Sequence, residues 1–232
     1  YVPGEIPSFE TLNLPQVVKK IADNQRGLVL VTGTTGCGKS TTLASMIEHI
    51  NSTRTNHIIT LEDPIEFLHK DKLSIISQRE LGMDTTSYSE ALKHIVRQDP
   101  DVILIGEMRD TDTMAAALTA AQTGHLVLST IHTIDAIQTV TRIVDMFPPH
   151  HQNQIRLQLS DTLKGVISQR LLANTKGGRV PACEILVVTA LVKKFIEQNT
   201  MSEIMQAMKQ GAYYGMQVFN QSLLALYNSG NI

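Results

Sequence analysis

Apolar runs of four to six residues recur through the first half of the chain, and each is followed by a turn or a polar segment. The clearest runs are Leu28–Val31, His57–Leu61, Val102–Ile105 and His125–Thr130. Runs of this length that are rich in Val, Ile and Leu are typical of strands buried on both faces. We therefore predict four strands of a mostly parallel sheet.

Segments with helical periodicity separate these runs. They are Leu14–Asn24, Ser40–Ile50, Ser87–Gln98, Thr111–Thr123, Asp135–Met146 and His150–Thr162. Ser87 and Glu90 have the spacing of a capping box, and Thr111 is expected to cap an Ala-rich helix that ends before Gly124. Strands that alternate with helices in this way predict an α/β fold.

Two further strands and a helical tail are predicted in the last third of the chain. One strand begins at Gln169, turns at Asn174–Arg179 and returns as Val180–Val188. Helices follow over residues 190–199, 200–210 and 216–228, and the second of these is predicted to open on a capping box at Thr200–Glu203.

Two smaller features complete the pattern. Residues 71–82 are expected to form a small hairpin or an edge strand around Ile75 and Ile76. Met201, Met205 and Met208 lie at i, i+4 and i+7 of a predicted helix, so they share one face. This spacing is more typical of core packing than of a binding surface.

The same pattern suggests a division of the chain. Residues 1–15 contain three prolines and a glycine, which indicates an extended linker. Because the chain begins at Tyr1 and not at Met, we expect this linker to follow an N-terminal domain outside the sequence. Residues 16–188 are predicted to form the core, and residues 189–232 a helical C-terminal subdomain.

Composition excludes several classes of protein. The net charge of −2 gives no electrostatic basis for binding nucleic acid or an anionic membrane. Two cysteines are too few for a disulfide framework or a four-cysteine zinc site, and they suit a reducing cytosol. No apolar run reaches membrane-spanning length, and no signal peptide is visible.

A phosphate-binding motif follows the first apolar run. Gly33, Gly38, Lys39 and Ser40 match G-x-x-x-x-G-K-[ST] between a predicted strand and a predicted helix. Backbone N–H groups of such a loop surround phosphates, the lysine reaches the β- and γ-phosphates, and the serine hydroxyl binds Mg²⁺. The predicted nucleotide-binding residues are Gly33, Thr34, Thr35, Gly36, Cys37, Gly38, Lys39, Ser40 and Thr41. We expect Cys37 to be a small spacer, although a helix N-terminus would lower the pKa of its thiol.

Carboxylates follow two of the predicted strands. Glu62 and Glu66 come directly after one apolar run, and Glu107 follows another in the manner of a Walker B acid. In an open α/β sheet, ligands bind at the carboxyl ends of the strands. Each acid has a plainer interpretation, as a solvated residue in a proline-containing turn or as a helix cap, and the motif alone leaves that open.

Three further side chains are candidates for a role near this predicted edge of the sheet. Arg109 follows the Walker B acid and is expected to pair with an acid, the alternative being a phosphate of a neighbouring subunit. His125 is expected to find its partner within the fold. His132 ends the last apolar strand, so we predict that it senses the γ-phosphate. A zinc site built from the two histidines lacks further ligands.

Taken together, these motifs resemble the secretion and type IV pilus ATPases, and most closely their retraction motors. The resemblance rests on the linker and phosphate loop together with the stretches Glu62–Glu66, Asp99–Asp110, Gly124–Thr133, Tyr214–Gln217 and Asn220–Leu223. It covers essentially the whole chain. It implies a RecA-like P-loop NTPase core with a mostly parallel sheet and a helical C-terminal appendage.

The resemblance also implies a function. It points to a hexameric ring in the cytoplasm, attached to the inner-membrane pilus platform, peripheral to the membrane and without nucleic acid. The implied reaction is hydrolysis of ATP with Mg²⁺, with Ser40 and Glu107 near the metal. Glu66 is the preferred residue to activate water and Glu62 is its competitor, while His132 passes the phosphate state to the subunit interface.

Two departures from the family pattern bear on its subtype. The segment Ala190–Asn199 keeps only part of a motif found in retraction motors. The family's PAS-like domain, which supplies arginines to a neighbour's nucleotide, is not part of this sequence. Extension motors usually carry a four-cysteine metal motif that two cysteines cannot build, which favours the retraction type.

Other functions predict different features. A DNA-translocating motor shares the core fold but needs a basic channel, which the net charge disfavours. A nucleotide-binding switch without useful turnover is the third possibility. A GTP switch requires the guanine-binding motif Asn/Thr-Lys-x-Asp. The stretch Asn174–Gly177 resembles this motif but lacks its acid, so adenine is favoured over guanine as the base.

Overall fold

A computed structural model of the chain describes residues 5–232. This part of the chain contains a seven-stranded sheet with the order β3-β2-β4-β5-β1-β6-β7. The strands are β1 Gly27–Thr32, β2 His57–Glu62, β3 Ile75–Glu80, β4 Val102–Ile105, β5 Leu126–Ile131, β6 Leu163–Ala173 and β7 Arg179–Val187. All neighbouring strands are parallel except β6 and β7, which form an antiparallel pair at one edge.

Helices cover both faces of the sheet. They are α1 Gln16–Ala22, α2 Lys39–Thr53, α3 Tyr88–Ile95, α4 Thr111–Gln122, α5 Ala136–Asp145, α6 Pro149–Thr162, α7 Ala190–Gln198, α8 Met201–Gln210 and α9 Phe219–Asn228, with a short 3-10 helix at Gly211–Tyr214. Within residues 5–232, no helix combines the length and the apolar character needed to cross a membrane.

The central strand β1 explains the unbroken apolar run in the sequence. Leu28 and Leu30 belong to one buried cluster, which includes side chains of α3, α4 and α5. Val29 and Val31 belong to a second cluster on the opposite face, with α1 and α2. Because successive side chains of a strand point to opposite faces, a strand covered on both faces is apolar at almost every position. The predicted α/β core with a mostly parallel sheet is confirmed.

Two strand predictions need correction. β6 begins at Leu163, six residues before the predicted start at Gln169, and its first half pairs in parallel with β1. The apolar pattern is interrupted there by Lys164, Gly165 and Ser168. For that reason the pattern did not predict the first half of the strand. Residues 75–80 form an edge strand that pairs in parallel with β2, so the hairpin alternative was wrong.

Three helix starts also differ in detail. Asp110, not Thr111, caps α4, because its side chain accepts a hydrogen bond from the Thr113 N–H at 2.8 Å. Ser87 caps α3 as predicted, but the Glu90 carboxylate pairs with Lys93 and leaves the capping box incomplete. Thr200 precedes α8 without accepting a capping hydrogen bond, so no capping box forms there.

The ends of the described chain pack on the core. Phe9 and Leu14, within the predicted linker, are buried against the α1–α2 side of the sheet. Residues 1–4 of that linker lie outside the described residues. Met208 of α8 is buried and Met201 and Met205 are partly buried against the larger cluster, which confirms their packing role. The division of the chain at residues 15 and 188 stays a prediction.

Candidate functional site

The predicted site residues meet at the carboxyl ends of the strands. β1, β2, β4 and β5 all run in one direction, so the loops that follow them lie at one edge of the sheet. A cavity of about 500 Å³ lies at this edge. Its lining includes Gly36, Lys39, Ser40, Glu62, Glu66, Glu107 and His132.

The phosphate loop connects β1 to the start of α2 at Lys39. Gly33, Gly36 and Gly38 have φ values of 141°, 78° and 92°, which side chains rarely tolerate. Gly33 is also closely packed, because a Cβ atom there would lie 2.5 Å from the Gln169 carbonyl oxygen. The loop therefore needs these glycines for its backbone path, and α2 presents its N-terminus to the cavity.

Lys39 is folded back onto the loop. Its Nζ donates hydrogen bonds to the carbonyl oxygens of Gly33, at 3.0 Å, and Thr34, at 3.1 Å. The side chain is buried, so these two carbonyls satisfy a cation that would otherwise lie in a poorly solvated position. An ammonium group held beside backbone amides fits an anionic ligand such as a nucleotide phosphate.

Ser40 and Glu66 are in direct contact across the cavity. The Ser40 hydroxyl donates a 2.6 Å hydrogen bond to Glu66 Oε1. The contact joins the first turn of α2 to the loop that follows β2, two segments that are distant in sequence. The Ser40 hydroxyl is a hard oxygen ligand of the kind that Mg²⁺ prefers, and it lies beside the Glu66 carboxylate.

Glu107 lies beyond the end of β4, between the side chains of Arg109 and His132. Arg109 contacts Glu107 Oε2 at 2.7 Å and His132 Nε2 lies 3.2 Å from Oε1. Partial burial acts to raise the pKa of Glu107, but the hydrogen bond from Arg109 and the nearby His132 and Lys39 outweigh it and lower the pKa below its ordinary value. Glu107 is thus held as a carboxylate, and the expected ion pair of Arg109 is confirmed.

Glu62 has a different environment from the other two acids. Its Oε1 accepts hydrogen bonds from the Thr60 hydroxyl at 2.7 Å and from Gln78 Nε2 at 3.2 Å. Burial raises the pKa of Glu62, and these hydrogen bonds, with one from the Glu66 backbone N–H, only partly oppose the increase. The Glu62 carboxylate therefore hydrogen-bonds to its neighbours Thr60 and Gln78, whereas the Glu66 carboxylate hydrogen-bonds to Ser40 at the end of the phosphate loop.

The cavity offers oxygen ligands for a metal ion. Within residues 5–232, no group of three or more His, Cys, Asp or Glu side chains could hold a metal alone. Mg²⁺ usually binds through one or two protein ligands, water and substrate phosphates. Ser40 and Glu107 line the same cavity as the phosphate loop, so they fit such a shared site.

Two other predicted residues have structural explanations. Cys37 is only 3% exposed, and burial raises the pKa of its thiol, so the expected lowering by the helix N-terminus was wrong. His125 Nδ1 lies 2.9 Å from the Ala120 carbonyl oxygen and 3.2 Å from the Thr123 hydroxyl, which confirms a partner within the fold. His125 lies outside the cavity that includes His132.

Sequence reasoning missed several residues of the site. Tyr88, at the start of α3, lines the cavity, and burial, followed by the nearby Asp63 carboxylate, raises the pKa of its phenol to about 12. A second cavity of about 400 Å³ adjoins the phosphate loop at Thr41. Leu12, Leu14, Leu171 and Pro181 give it an apolar lining. These residues come from distant segments and form no local motif. They are recognised as part of the site only because the fold brings them to the same cavities.

The comparisons with known proteins agree with this geometry. The model of the family described as "Type II/IV secretion system protein" matches residues 9–222. A "Twitching motility protein" of Neisseria gonorrhoeae is 50% identical over all 232 residues, and the match covers 62% of that relative. The "Type IV pilus retractation ATPase PilT" of Pseudomonas aeruginosa is 46% identical over 231 residues, and the match covers 67% of it.

Solved structures give the same result. A crystal structure of the pilus retraction motor PilT with bound ADP is 50% identical to this chain and superposes with a TM-score of 0.94, over 100% of this chain and 66% of that one. The chain thus spans about two thirds of the length of these relatives. With its phosphate loop, acid cluster and sheet order, the chain belongs to the Type II/IV secretion system protein family.

Proposed function

We propose that this chain is the ATP-hydrolysing part of a motor that retracts type IV pili and so drives twitching motility. The observation that carries the proposal is the Ser40–Glu66 hydrogen bond beside Glu107, within a phosphate-loop cavity. The names of the relatives support it, since one is a twitching motility protein and another a pilus retraction ATPase.

Nucleotide binding is assigned to the phosphate loop. The loop amides and the N-terminus of α2 hold the phosphates. Lys39 exchanges the carbonyls of Gly33 and Thr34 for phosphate oxygens when nucleotide enters. Ser40 and Glu107 would hold Mg²⁺, which would supply charge neutralisation at the phosphates.

Glu66 is assigned to the attacking water. In this structure Glu66 accepts a hydrogen bond from Ser40, so its carboxylate lies beside the proposed metal ligand. The Glu66 carboxylate has further acceptor positions beside this hydrogen bond, so it would accept a proton from water that attacks the γ-phosphate. Glu62 remains the competing residue, but its hydrogen bonds to Thr60 and Gln78 favour a supporting role.

His132 is assigned to sensing the phosphate state. Its Nε2 lies 3.2 Å from Glu107, and 38% of its side chain is exposed. Loss of the γ-phosphate removes negative charge from the cavity that Glu107 and His132 both line. An exposed histidine at this point is placed to transmit that change towards a neighbouring subunit.

The adenine base is assigned to the second cavity. It adjoins the phosphate loop at Gly38 and Thr41 and has an apolar lining from Leu12, Leu14 and Leu171. A flat heterocycle favours such a lining, because most ligand pockets are apolar with few polar groups.

The assembly is proposed from the same family relationship. We infer a hexameric ring that works in the cytoplasm against the inner-membrane pilus platform, peripheral to the membrane. A motor on nucleic acid is disfavoured by the net charge of −2. A measurement of phosphate release distinguishes the motor from a nucleotide-binding switch without turnover.

The test is Mg²⁺-dependent phosphate release by the intact protein, with oligomeric state recorded on the same sample. The comparison is with Lys39→Ala and with Lys20→Ala, an exposed lysine of α1 that serves as the control. Turnover that accompanies ring formation and is lost only in Lys39→Ala supports the motor. Nucleotide binding without turnover would contradict it and indicate a switch.

A second measurement addresses the direction of the motor. Cells that carry only the Lys39→Ala protein are expected to display pili that extend and do not retract. Cells without surface pili would instead indicate an extension motor. Strong stimulation of ATPase activity by single-stranded DNA would revive the nucleic-acid motor.

A further inference from the structure

A polar face on the two edge strands supports the loop that carries Glu66. Strands β2 and β3 pair in parallel, with Thr60 opposite Gln78 and Glu62 opposite Glu80. Residues two apart in a strand share a face, and partners in register share it too. These four polar side chains therefore lie together on one face at the carboxyl end of the sheet edge.

The side-chain amide of Gln78 makes hydrogen bonds on this face through both its nitrogen and its oxygen. Its Nε2 donates to Glu62 Oε1 at 3.2 Å and to the Phe67 carbonyl oxygen at 2.9 Å. Its Oε1 accepts from the His69 N–H at 2.8 Å. One half-buried side chain thus fixes an acid of the site and two peptide groups of the loop after β2.

Glu80 holds the other end of the same loop. Its Oε2 accepts a hydrogen bond from the Ile65 N–H at 3.0 Å. The Glu80 backbone N–H in turn donates to Asp84 at 2.8 Å. The peptide groups on either side of Glu66 are therefore both anchored to β3, one by Glu80 and one by Gln78.

The position of Glu66 follows from these anchors. Glu66 is exposed, and its hydrogen bond to Ser40 is made by a side chain that has no buried surroundings to orient it. An exposed carboxylate on a loop keeps a defined position only when its backbone is held. The hydrogen bonds of Gln78 and Glu80 supply that restraint from the sheet.

We propose that Gln78 is a positioning residue for Glu66, with Glu80 as the second anchor. Gln78 acts through the loop backbone and through Glu62 and does not itself touch the nucleotide. This inference rests on the proposed ATPase function, in which Glu66 must lie within hydrogen-bond reach of the attacking water. Misplacement of a reacting group by about 1 Å can cost up to ~10²-fold in rate.

The experiment compares Gln78→Leu with the wild-type intact protein. Leucine keeps a similar volume and removes all three hydrogen bonds. Ser77→Ala is the matched control, since Ser77 is the adjacent residue of β3 and points to the other face. Gln78→Asn, whose shorter side chain keeps the amide, is the second variant if Gln78→Leu does not fold.

Four results are expected. The kcat of Gln78→Leu falls by about tenfold or more. Its KM for ATP changes by less than about twofold, because the phosphate loop is intact. Amide hydrogen exchange becomes faster in residues 63–70 and stays unchanged in residues 33–44. Adding Gln78→Leu to Glu66→Gln lowers kcat no further, because the two changes act on the same group.

Three results would overturn the inference: a folded Gln78→Leu protein with wild-type kcat, unchanged exchange in residues 63–70, and additive losses of kcat in the double variant. The hydrogen-exchange measurement needs no turnover, so it tests the anchor even if wild-type protein proves inactive, which would count against the proposed function alone. Additive losses in the double variant would make Gln78 a general stability residue.

Discussion

The Ser40 hydroxyl donates a 2.6 Å hydrogen bond to Oε1 of Glu66, across 26 positions of sequence. The contact joins the first turn of α2 to the loop after β2. The proposed metal ligand and the proposed base are thus in direct contact. Ser40 would hold Mg²⁺ through a lone pair of its hydroxyl oxygen, and the hydrogen of that hydroxyl would stay available to Glu66.

The first prediction concerns this carboxylate. Glu66→Gln should lower kcat by about 10²-fold or more, because general base catalysis contributes about 10²–10⁴-fold. The affinity for nucleotide should change little, since the phosphate loop is unaltered. Phosphate release and binding of a fluorescent ATP analogue measure the two effects separately.

Glu62→Gln is the comparison for Glu66→Gln. Glu62 is already engaged by Thr60 and Gln78, so its replacement should cost less kcat. An equal or larger loss in Glu62→Gln, with near-normal turnover in Glu66→Gln, would transfer the role of base to Glu62.

The second prediction concerns the glycines of the phosphate loop. Gly33→Ala should abolish nucleotide binding, because the new Cβ would lie 2.5 Å from both the Cys37 Sγ and the Gln169 carbonyl oxygen. Gly36→Ala is the matched change, since a Cβ there meets no heavy atom within 4 Å. Its cost should be only the left-handed backbone strain of about 1–2 kcal/mol. Thermal unfolding measures the stability of each variant, and isothermal titration measures its nucleotide binding. Equal losses in Gly33→Ala and Gly36→Ala would count against the loop geometry.

The third prediction concerns the second cavity. Leu171→Ala should raise the KM for ATP by roughly tenfold with little change in kcat, because apolar contact with the base is worth about 1.5 kcal/mol. Leu172→Ala is the control, as its side chain points to the other face of β6. A loss confined to kcat would place the base elsewhere.

The fourth prediction concerns a buried carboxyl outside the cavity. Glu184 of β7 is 4% exposed, and its Oε1 accepts a hydrogen bond from the Ala136 N–H at the start of α5, at 2.9 Å. Burial raises the pKa of Glu184, the nearby Asp135 adds to the increase, and the hydrogen bond from Ala136 opposes it. The folded state therefore favours the protonated carboxyl more than the unfolded state does.

The sign of the pH effect follows from that direction. The stability that the protonated Glu184 contributes is complete below its ordinary pKa of about 4.3 and is lost as the pH rises through the raised value. Glu184→Gln has no such titration. The free energy of unfolding of wild type minus that of the variant should therefore fall as the pH rises from about 4, then level off.

Urea unfolding at several pH values measures this difference. Glu203→Gln, at an exposed carboxylate of α8, is the control and should show no comparable fall. A wild-type advantage that grows with rising pH would show that burial does not control the titration of Glu184.

Much of the fold could be predicted because it depends on local patterns. The unbroken apolar run of β1 is required by a strand covered on both faces, and the glycines of the phosphate loop are required by its backbone angles. Such constraints act on neighbouring residues, so they are visible in the sequence. The start of β6 was missed because Lys164, Gly165 and Ser168 break the apolar pattern.

The sequence by itself determined the phosphate loop, the parallel α/β core and the identity of the acids near the site. Tertiary structure alone decided which acid meets Ser40 and which is held by Thr60 and Gln78. It also decided that burial outweighs the helix N-terminus at Cys37. The physical reason is that hydrogen-bond distance and burial depend on segments far apart in the chain, and no local pattern records how those segments meet.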